Sequence, residues 1–301
     1  MKMNRLLIVL GCLVAIQAHA VVTLQDDAGN TVTLQKPAER IVSLAPHATE
    51  MLFAAGAGDR IVGTVEYSDY PAAALQIPRV GNHQQIDVER VIAARPDVLV
   101  VWLHGSSERQ IEHLRKLGIP FFYSEPKRLS DIPEGIARMA KLAGTEKAAA
   151  PEIMRQRELL GNLTARYAQR PPVRTFYQVW GKPIYTLNGK HIMSDVLRVC
   201  GGQNIFAELN TTAPTVSTEA VLLADPEAMI VGARKEKKTS ELEIWEPYKN
   251  LTAVRRGNLF AIDGDLLNRA GPRLIQGTQA ICEKLELARS RRPVSDLPSV
   301  K

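Results

Sequence analysis

From Asp131 to about Gln169 the sequence keeps helical register with no strand to interrupt it, and this one long stretch constrains the fold more than any other feature. Its apolar positions are Ile132, Ile136, Met139 and Leu142, then, after Gly144, Ile153, Leu159, Leu160, Leu163 and Tyr167. Arg170-Pro171-Pro172 stops it, because proline cannot continue a helix and restrains the residue before it. A different pattern lies on each side.

Ahead of the long helix, after a short N-terminal extension, strands and helices alternate. Ile41 to Leu44 is a β-branched apolar run, followed by helical spacing of Met51, Leu52 and Ala55 between Ala48 and Gly56. Asp59 to Thr64 reads as a strand, Val88 to Ala94 as a helix and Asp97 to Trp102 as a strand buried on both faces. Glu108 to Leu117 is a helix closed by Gly118, and Pro120 to Tyr123 a strand. Behind the long helix the alternation restarts: strand Arg174 to Val179, helix Ile192 to Val199 ended by Gly201-Gly202, helix Thr218 to Leu223, strands Ala228 to Gly232 and Leu259 to Ile262, and a C-terminal helix from Gly271 to Leu287. Such alternation predicts an α/β fold of two Rossmann-like lobes with mostly parallel sheets, joined by a single long helix, with a ligand cleft between the lobes. The boundaries fall at residues 21–145 for the N-terminal lobe, 146–170 for the interlobe helix and 171–301 for the C-terminal lobe. A helical bridge bends less than glycine-rich or paired-strand hinges, so closure should be limited.

The two halves also repeat each other. Val88-Glu89-Arg90-Val91-Ile92-Ala93-Ala94-Arg95-Pro96 aligns in register with Thr218-Glu219-Ala220-Val221-Leu222-Leu223-Ala224-Asp225-Pro226. Glu89 and Glu219 thereby occupy equivalent positions, one per lobe. The plain reading of that equivalence is that each is an exposed carboxylate favoured by the positive end of its helix.

Residues 1–20 have the form of a secretory signal peptide: Lys2 and Arg5, an apolar run from Leu6 to Ile16, then Ala18-His19-Ala20. The apolar run is too short to span a bilayer. Val9-Leu10-Gly11-Cys12 faintly resembles a lipoprotein cleavage box, a second possibility for the same segment. Both readings export the chain, with the periplasm as the expected compartment. The exported chain retains two cysteines, Cys200 and Cys282, an even count that suits one disulfide outside the cytosol; two separate buried thiols are the alternative. Of 38 basic and 32 acidic residues, removal of the leader takes two basic ones, and the remaining excess is mild. Lys235 to Lys238 and Arg289 to Arg292 are short clusters without interleaved aromatics, expected as solvated loops rather than nucleic-acid contacts.

No motif poises a nucleophile: Gly-x-Ser-x-Gly, His-Glu-x-x-His, a P-loop and Cys-x-x-Cys are all missing, so no catalytic residue is assigned and no enzyme expected. Gly56-Ala57-Gly58 follows a helix and reads as its cap and turn. What remains are aromatics at strand ends, where α/β folds bind ligands: Tyr67, Tyr70, Trp102, Trp180 and Tyr185, with the loop from Asp265 to Arg273 beside them. Flat aromatic faces suit a large planar ligand. Histidines lack metal-ligand spacing; His113 falls mid-helix on the surface, whereas His83 and His104 fall where the cleft should be.

Several blocks carry a family resemblance: Val42-Ser43-Leu44-Ala45-Pro46-His47-Ala48-Thr49-Glu50, Tyr67-Ser68-Asp69-Tyr70-Pro71, Val88-Glu89-Arg90, Pro96 to Trp102, Val199-Cys200-Gly201-Gly202-Gln203-Asn204-Ile205-Phe206 and Arg269-Ala270-Gly271-Pro272-Arg273. Across about residues 40–290 the chain resembles the periplasmic cobalamin-binding proteins of bacterial ABC importers, part of a helical-backbone class that also holds haem and iron-siderophore binders. The resemblance implies a corrinoid carried as ligand, with no resident cofactor and no resident metal, by a protein that is a monomer when free. It implies that Tyr67 and the loop of Asp265, Leu266, Leu267, Asn268 and Arg269 contact the corrin, and that Trp102 is retained. It assigns Glu89 and Glu219 to docking on a dimeric inner-membrane permease, one carboxylate per lobe, and places the family disulfide on Cys200 and Cys282.

Three aromatic surfaces of that family are replaced here, by His83, near Ala213 and by Leu266-Leu267. Trp180 offers a substitute surface, and His83 a nitrogen that could reach cobalt. Haem or a ferric siderophore is the alternative cargo.

Overall fold

The computed structural model describes residues 21–82, 85–105, 108–233 and 241–293. The leader with Cys12, His83 and the Lys235 to Lys238 cluster lie outside the described residues. No helix among the described residues is long and apolar enough to cross a membrane.

The N-terminal extension is a hairpin, β1 (Val22–Gln25) and β2 (Thr31–Leu34), whose alternate residues Val22, Leu24, Val32 and Leu34 are buried. The first half then runs β3 (Ile41–Ser43), α1 (Pro46–Ala54), β4 (Ile61–Thr64), α2 (Val88–Ala93), β5 (Val98–Trp102), α3 (Glu108–Arg115) and β6 (Phe121–Ser124). Two helices follow, α4 (Asp131–Ala143) and α5 (Glu146–Tyr167). The second half comprises β7 (Val173–Gln178), the two-residue strands β8 (Trp180–Gly181) and β9 (Ile184–Tyr185), α6 (Ile192–Val199), β10 (Gly202–Asn204), α7 (Thr218–Ala224), β11 (Ala228–Ala233), α8 (Thr252–Arg255), β12 (Leu259–Asp263), α9 (Gly264–Leu267) and α10 (Pro272–Ser290).

Each half forms a four-stranded parallel sheet, in the order β4-β3-β5-β6 and β10-β7-β11-β12. Counted within its own half, each order is 2-1-3-4, so the repeat seen in sequence is a repeat of topology. It extends to the backbone: Arg95 and Asp225, each just before its proline, hold φ of 44° and 37°. Asp225 puts this turn to use, accepting the Thr252 backbone N–H at 2.7 Å.

Strand residues alternate between two apolar environments because successive side chains leave opposite faces of a sheet. Val98 and Val100 of β5 enter a central core, and Leu99 and Val101 an outer one. Ala228 and Ile230 of β11 join the same central core, while Met229 and Val231 face a third cluster around Trp245. The central core is continuous from β3 to α10 through α1, α4, α5 and α6. One apolar mass therefore backs both sheets.

The long helical stretch is broken once. Gly144 caps α4 at φ 65°, where a Cβ would lie 2.9 Å from Pro37, and α5 begins two residues later. Gly56 ends α1 in the same left-handed conformation, where a Cβ would lie 2.9 Å from Ala148 on α5, as the predicted cap and turn require.

The Arg289 to Arg292 cluster departs from its expectation of a solvated loop. α10 continues to Ser290, and buried Arg289 donates to the carbonyls of Pro171, Cys200 and Gly201 at 2.8, 2.8 and 3.0 Å. Arg292 pairs with Glu227 at 2.6 and 2.8 Å. These cations clasp the end of α10 to the second sheet. The disulfide between Cys200, at the end of α6, and Cys282, in α10, is formed.

Candidate functional site

In a 2-1-3-4 order the switch point lies between strands 1 and 3, and ligands gather at the carboxyl ends there. Trp102 ends β5 at the first switch point, and Trp180 follows β7 at the second. Both rings are exposed, as are Tyr67, Tyr70 and Tyr185, the last paired in register with Trp180.

Tyr67 is held in an unusual conformation, φ 63°, and the residue is 68% exposed. A non-glycine residue there costs on the order of 1–2 kcal/mol, and its neighbour supplies the anchor. Ser68 is buried and accepts from Thr49 Oγ1 at 3.2 Å, within a hydroxyl cluster that includes Ser43 and Thr64 at 2.9 Å. Arg79 donates to the Ser68 carbonyl at 2.9 Å. The loop is pinned from beneath while the phenol ring projects outward.

Trp102 packs against two residues. His47 meets its ring edge-on at 5.6 Å, and a Cβ on Gly105 would clash with the indole. Burial pushes the His47 imidazole down to about 4, the Ser124 carbonyl only partly opposing it, so His47 is neutral and donates Nε2–H to that carbonyl at 3.3 Å. Beyond Trp102, exposed His104 brings Nδ1 to 2.8 Å from Glu125 Oε2, and its backbone N–H donates to the same oxygen at 3.0 Å.

The predicted contact loop divides by burial. Asp263 caps α9 by accepting the Asp265 backbone N–H at 2.9 Å, which makes a short helix of what the sequence presents as a loop. Successive helical residues diverge by about 100°, so Leu266 and Asp265 are half-buried, Asn268 is exposed, and Leu267 turns into the central core. Leu267 is a packing residue and does not face the cleft. Arg269 is engaged by the first half: it donates to Asp69 at 2.6 and 3.1 Å and to Glu50 at 3.0 Å. Partial burial pushes the Asp69 carboxyl up, but the Arg269 hydrogen bonds outweigh it and hold the group below its usual range. Arg273 grips Glu50 with two bonds and lies 4.2 Å over the Tyr70 ring. Sequence reading misses this four-charge cluster; Glu50 amid an apolar helix was its one signal.

Glu89 and Glu219 are both exposed, each the second residue of its helix. The helices are capped alike, by Asp87 accepting from the Arg90 N–H and Ser217 from the Ala220 N–H, and each buries one valine, Val91 or Val221. A crossover helix runs back against its parallel strands, so both first turns sit at the carboxyl edges that carry the aromatics. The backbone N–H of Glu219 and the Ser217 hydroxyl hold its carboxyl below the usual range. Two surface hollows of about 410 and 420 Å³ lie away from the aromatics, one beside β2 and β6, the other between α2 and α3. Among the described residues no group of three or more His, Cys, Asp or Glu is placed to hold a metal ion.

Residues 41–266 match the family described as periplasmic binding protein. The chain is 37% identical over 256 residues to the vitamin B12-binding protein of Vibrio cholerae serotype O1, covering 85% of this chain and 92% of that one. The crystal structure of the periplasmic vitamin B12 binding protein BtuF of Vibrio cholerae superposes with a TM-score of 0.78 at 37% identity, over 84% of this chain and 98% of that one. The periplasmic haem binding protein HutB of the same species superposes with a TM-score of 0.70 at 22% identity, over 82% and 98% of the two chains, and shares the fold.

Proposed function

The chain belongs to the periplasmic binding protein family, and from that premise we propose that it captures cobalamin or a closely related corrinoid in the periplasm and delivers it to an inner-membrane ABC transporter. The observation that carries the reading is the set of exposed aromatics beyond the carboxyl ends of strands in both sheets, Tyr67 after β4 and Trp102 at the end of β5 on one half and Trp180 after β7 on the other. Aromatic faces on opposite walls suit a broad, flat macrocycle, whose burial rewards stacking and apolar contact more than charge. The 37% identity to a vitamin B12-binding protein favours a corrinoid over haem.

Ligand contact falls to Tyr67, Trp102 and Trp180, with Asp265, Leu266, Asn268 and Arg269 at the rim and His83 as an eighth candidate. The lobes divide at 21–145 and 171–301 about the helical connection 146–170. Residues 1–20 act as the export signal, and the free protein is a monomer without catalytic activity. Delivery uses Glu89 and Glu219, one per half, against a permease of two equivalent subunits. An exposed apolar side chain flanks each carboxylate on its helix, Ile92 near Glu89 and Leu223 near Glu219. Exposed charge beside exposed apolar surface is the composition of a transient protein interface.

Calorimetric titration of residues 21–301 with cyanocobalamin, and with hemin in parallel, tests the reading. One-to-one binding of cyanocobalamin at least a hundredfold tighter than hemin is the expected result. Heat from hemin alone, with a shifted Soret band, would transfer the chain to the haem carriers.

A further inference from the structure

We infer that His104 is a ligand to the metal at the centre of the bound macrocycle, an inference that rests on the corrinoid reading above. His104 lies two residues beyond Trp102, in the turn that leaves β5 at the first switch point, with its side chain 69% exposed. A single carboxylate orients it twice: Glu125 Oε2 takes Nδ1–H at 2.8 Å and the backbone N–H at 3.0 Å. Glu125 is itself held, its backbone N–H donating to Asp27 Oδ2 at 2.6 Å, and Asp27 pairs with Arg138.

Fixing Nδ1–H on a carboxylate settles the tautomer. Nε2 then carries the lone pair and faces away from the carboxylate-bonded nitrogen, which is the arrangement of metal-binding histidines. With the imidazole 69% exposed, the pair is screened by solvent on its histidine side and contributes modestly to folding. The other described histidines are differently employed. His47 is buried with Nε2 bonded to a carbonyl, His191 spends Nδ1 on the Met193 N–H, and His113 lies on the exposed face of α3.

The step is a ligand exchange on cobalt. The water bound at the upper face of aquocobalamin leaves with its own electron pair, and the Nε2 lone pair takes its place. Cobalt keeps its oxidation state, and Nδ1 keeps its proton toward Glu125. Cyanocobalamin presents the same macrocycle with that position closed by cyanide.

Titration with both compounds, following visible absorption and affinity, decides the matter. Aquocobalamin should shift to the spectrum of imidazole-ligated cobalamin, which is recorded as reference, and bind about tenfold or more tighter than cyanocobalamin. His104→Ala should lose the shift and the advantage, and His113→Ala should keep both. An unshifted aquocobalamin spectrum in a protein that binds cyanocobalamin overturns the inference and leaves the carrier reading standing. A shift that survives His104→Ala also overturns it and moves the ligand elsewhere. Absence of binding by either cobalamin overturns the carrier reading itself.

Discussion

Glu50 and Arg273, 223 positions apart in sequence, meet in a two-pronged ion pair at 2.7 and 3.0 Å, with the carboxylate side chain only 1% exposed. Glu50 belongs to α1 and Arg273 to the first turn of α10, so the pair joins the helix behind the first sheet to the last helix of the second half. Arg269 extends it to Asp69, two residues from Tyr67, which couples the aromatic loop to the same junction.

Removing one partner of a buried pair leaves the other charge unpaired, at a cost of about 3–5 kcal/mol. Glu50→Gln should lower unfolding stability by about 3 kcal/mol, measured by urea denaturation, since two guanidinium groups then lose the negative charge they share. The double change Glu50→Leu with Arg273→Met should cost less than Glu50→Gln alone. A single variant within about 0.5 kcal/mol of the parent would show that the junction is held by apolar packing only.

How much of this was open to sequence reading depends on the range of the interaction. The unbroken apolar run Val98 to Val101 and the matching prolines at 96 and 226 are local, and the buried strand and the repeat of the two halves follow from them. The hairpin Val22–Gln25 with Thr31–Leu34 has alternation on either side of Asp26-Asp27-Ala28-Gly29-Asn30, yet a short segment ahead of the first lobe reads as an extension until its partner strand is known. Leu267 is misread because the residue type suits both a lip and a core, and only the helical phase of α9, fixed by Asp263, decides between them. Glu50 with Arg273, and the clasp by Arg289, depend on closure across long chain separations that no local pattern encodes.

The disulfide spans 82 residues. Constraining an unfolded loop of that size is worth about 4 kcal/mol in the chain-entropy account. Cys200→Ala with Cys282→Ala should therefore lower the urea midpoint substantially while leaving cyanocobalamin affinity within about twofold, because both sulfurs lie in the central core away from the aromatics. Equal losses of stability and affinity would mean that α6 and α10 shape the cleft directly.

Acid should destabilise the protein through two histidines. Burial depresses both His47 and His191 to about 4, below the ordinary value of about 6.5 that they regain on unfolding. Between those values the unfolded chain binds more protons, so stability is full above about pH 6.5 and falls as the pH drops toward 4. Each contributes on the order of 3 kcal/mol across that window. His191 adds a geometric reason, since its Nδ1 accepts the Met193 N–H as the cap of α6 and a protonated ring cannot accept. His191→Asn keeps a capping acceptor that does not titrate, so its melting temperature should fall less between pH 7 and 4.5 than that of the parent. Parallel curves would assign the acid sensitivity elsewhere.

Docking can be separated from binding by charge reversal. Glu89 and Glu219 lie on equivalent turns, and neither is among the aromatic groups proposed to hold the ligand. Glu89→Arg with Glu219→Arg should abolish uptake by vesicles carrying the cognate transporter and leave cyanocobalamin affinity in solution within about twofold, because like charges across an interface cost several kcal/mol. Either single reversal should act mainly on the association rate and soften with added salt, since exposed charges are screened over about 10 Å at 0.1 M. Leu223→Asp supplies the complementary case: this residue is 91% exposed and one turn from Glu219. Its replacement should weaken transporter association without the salt dependence of the glutamate variants. Uptake that survives the double reversal would reduce the repeated glutamates to helix-start carboxylates that stabilise their own helices and nothing more.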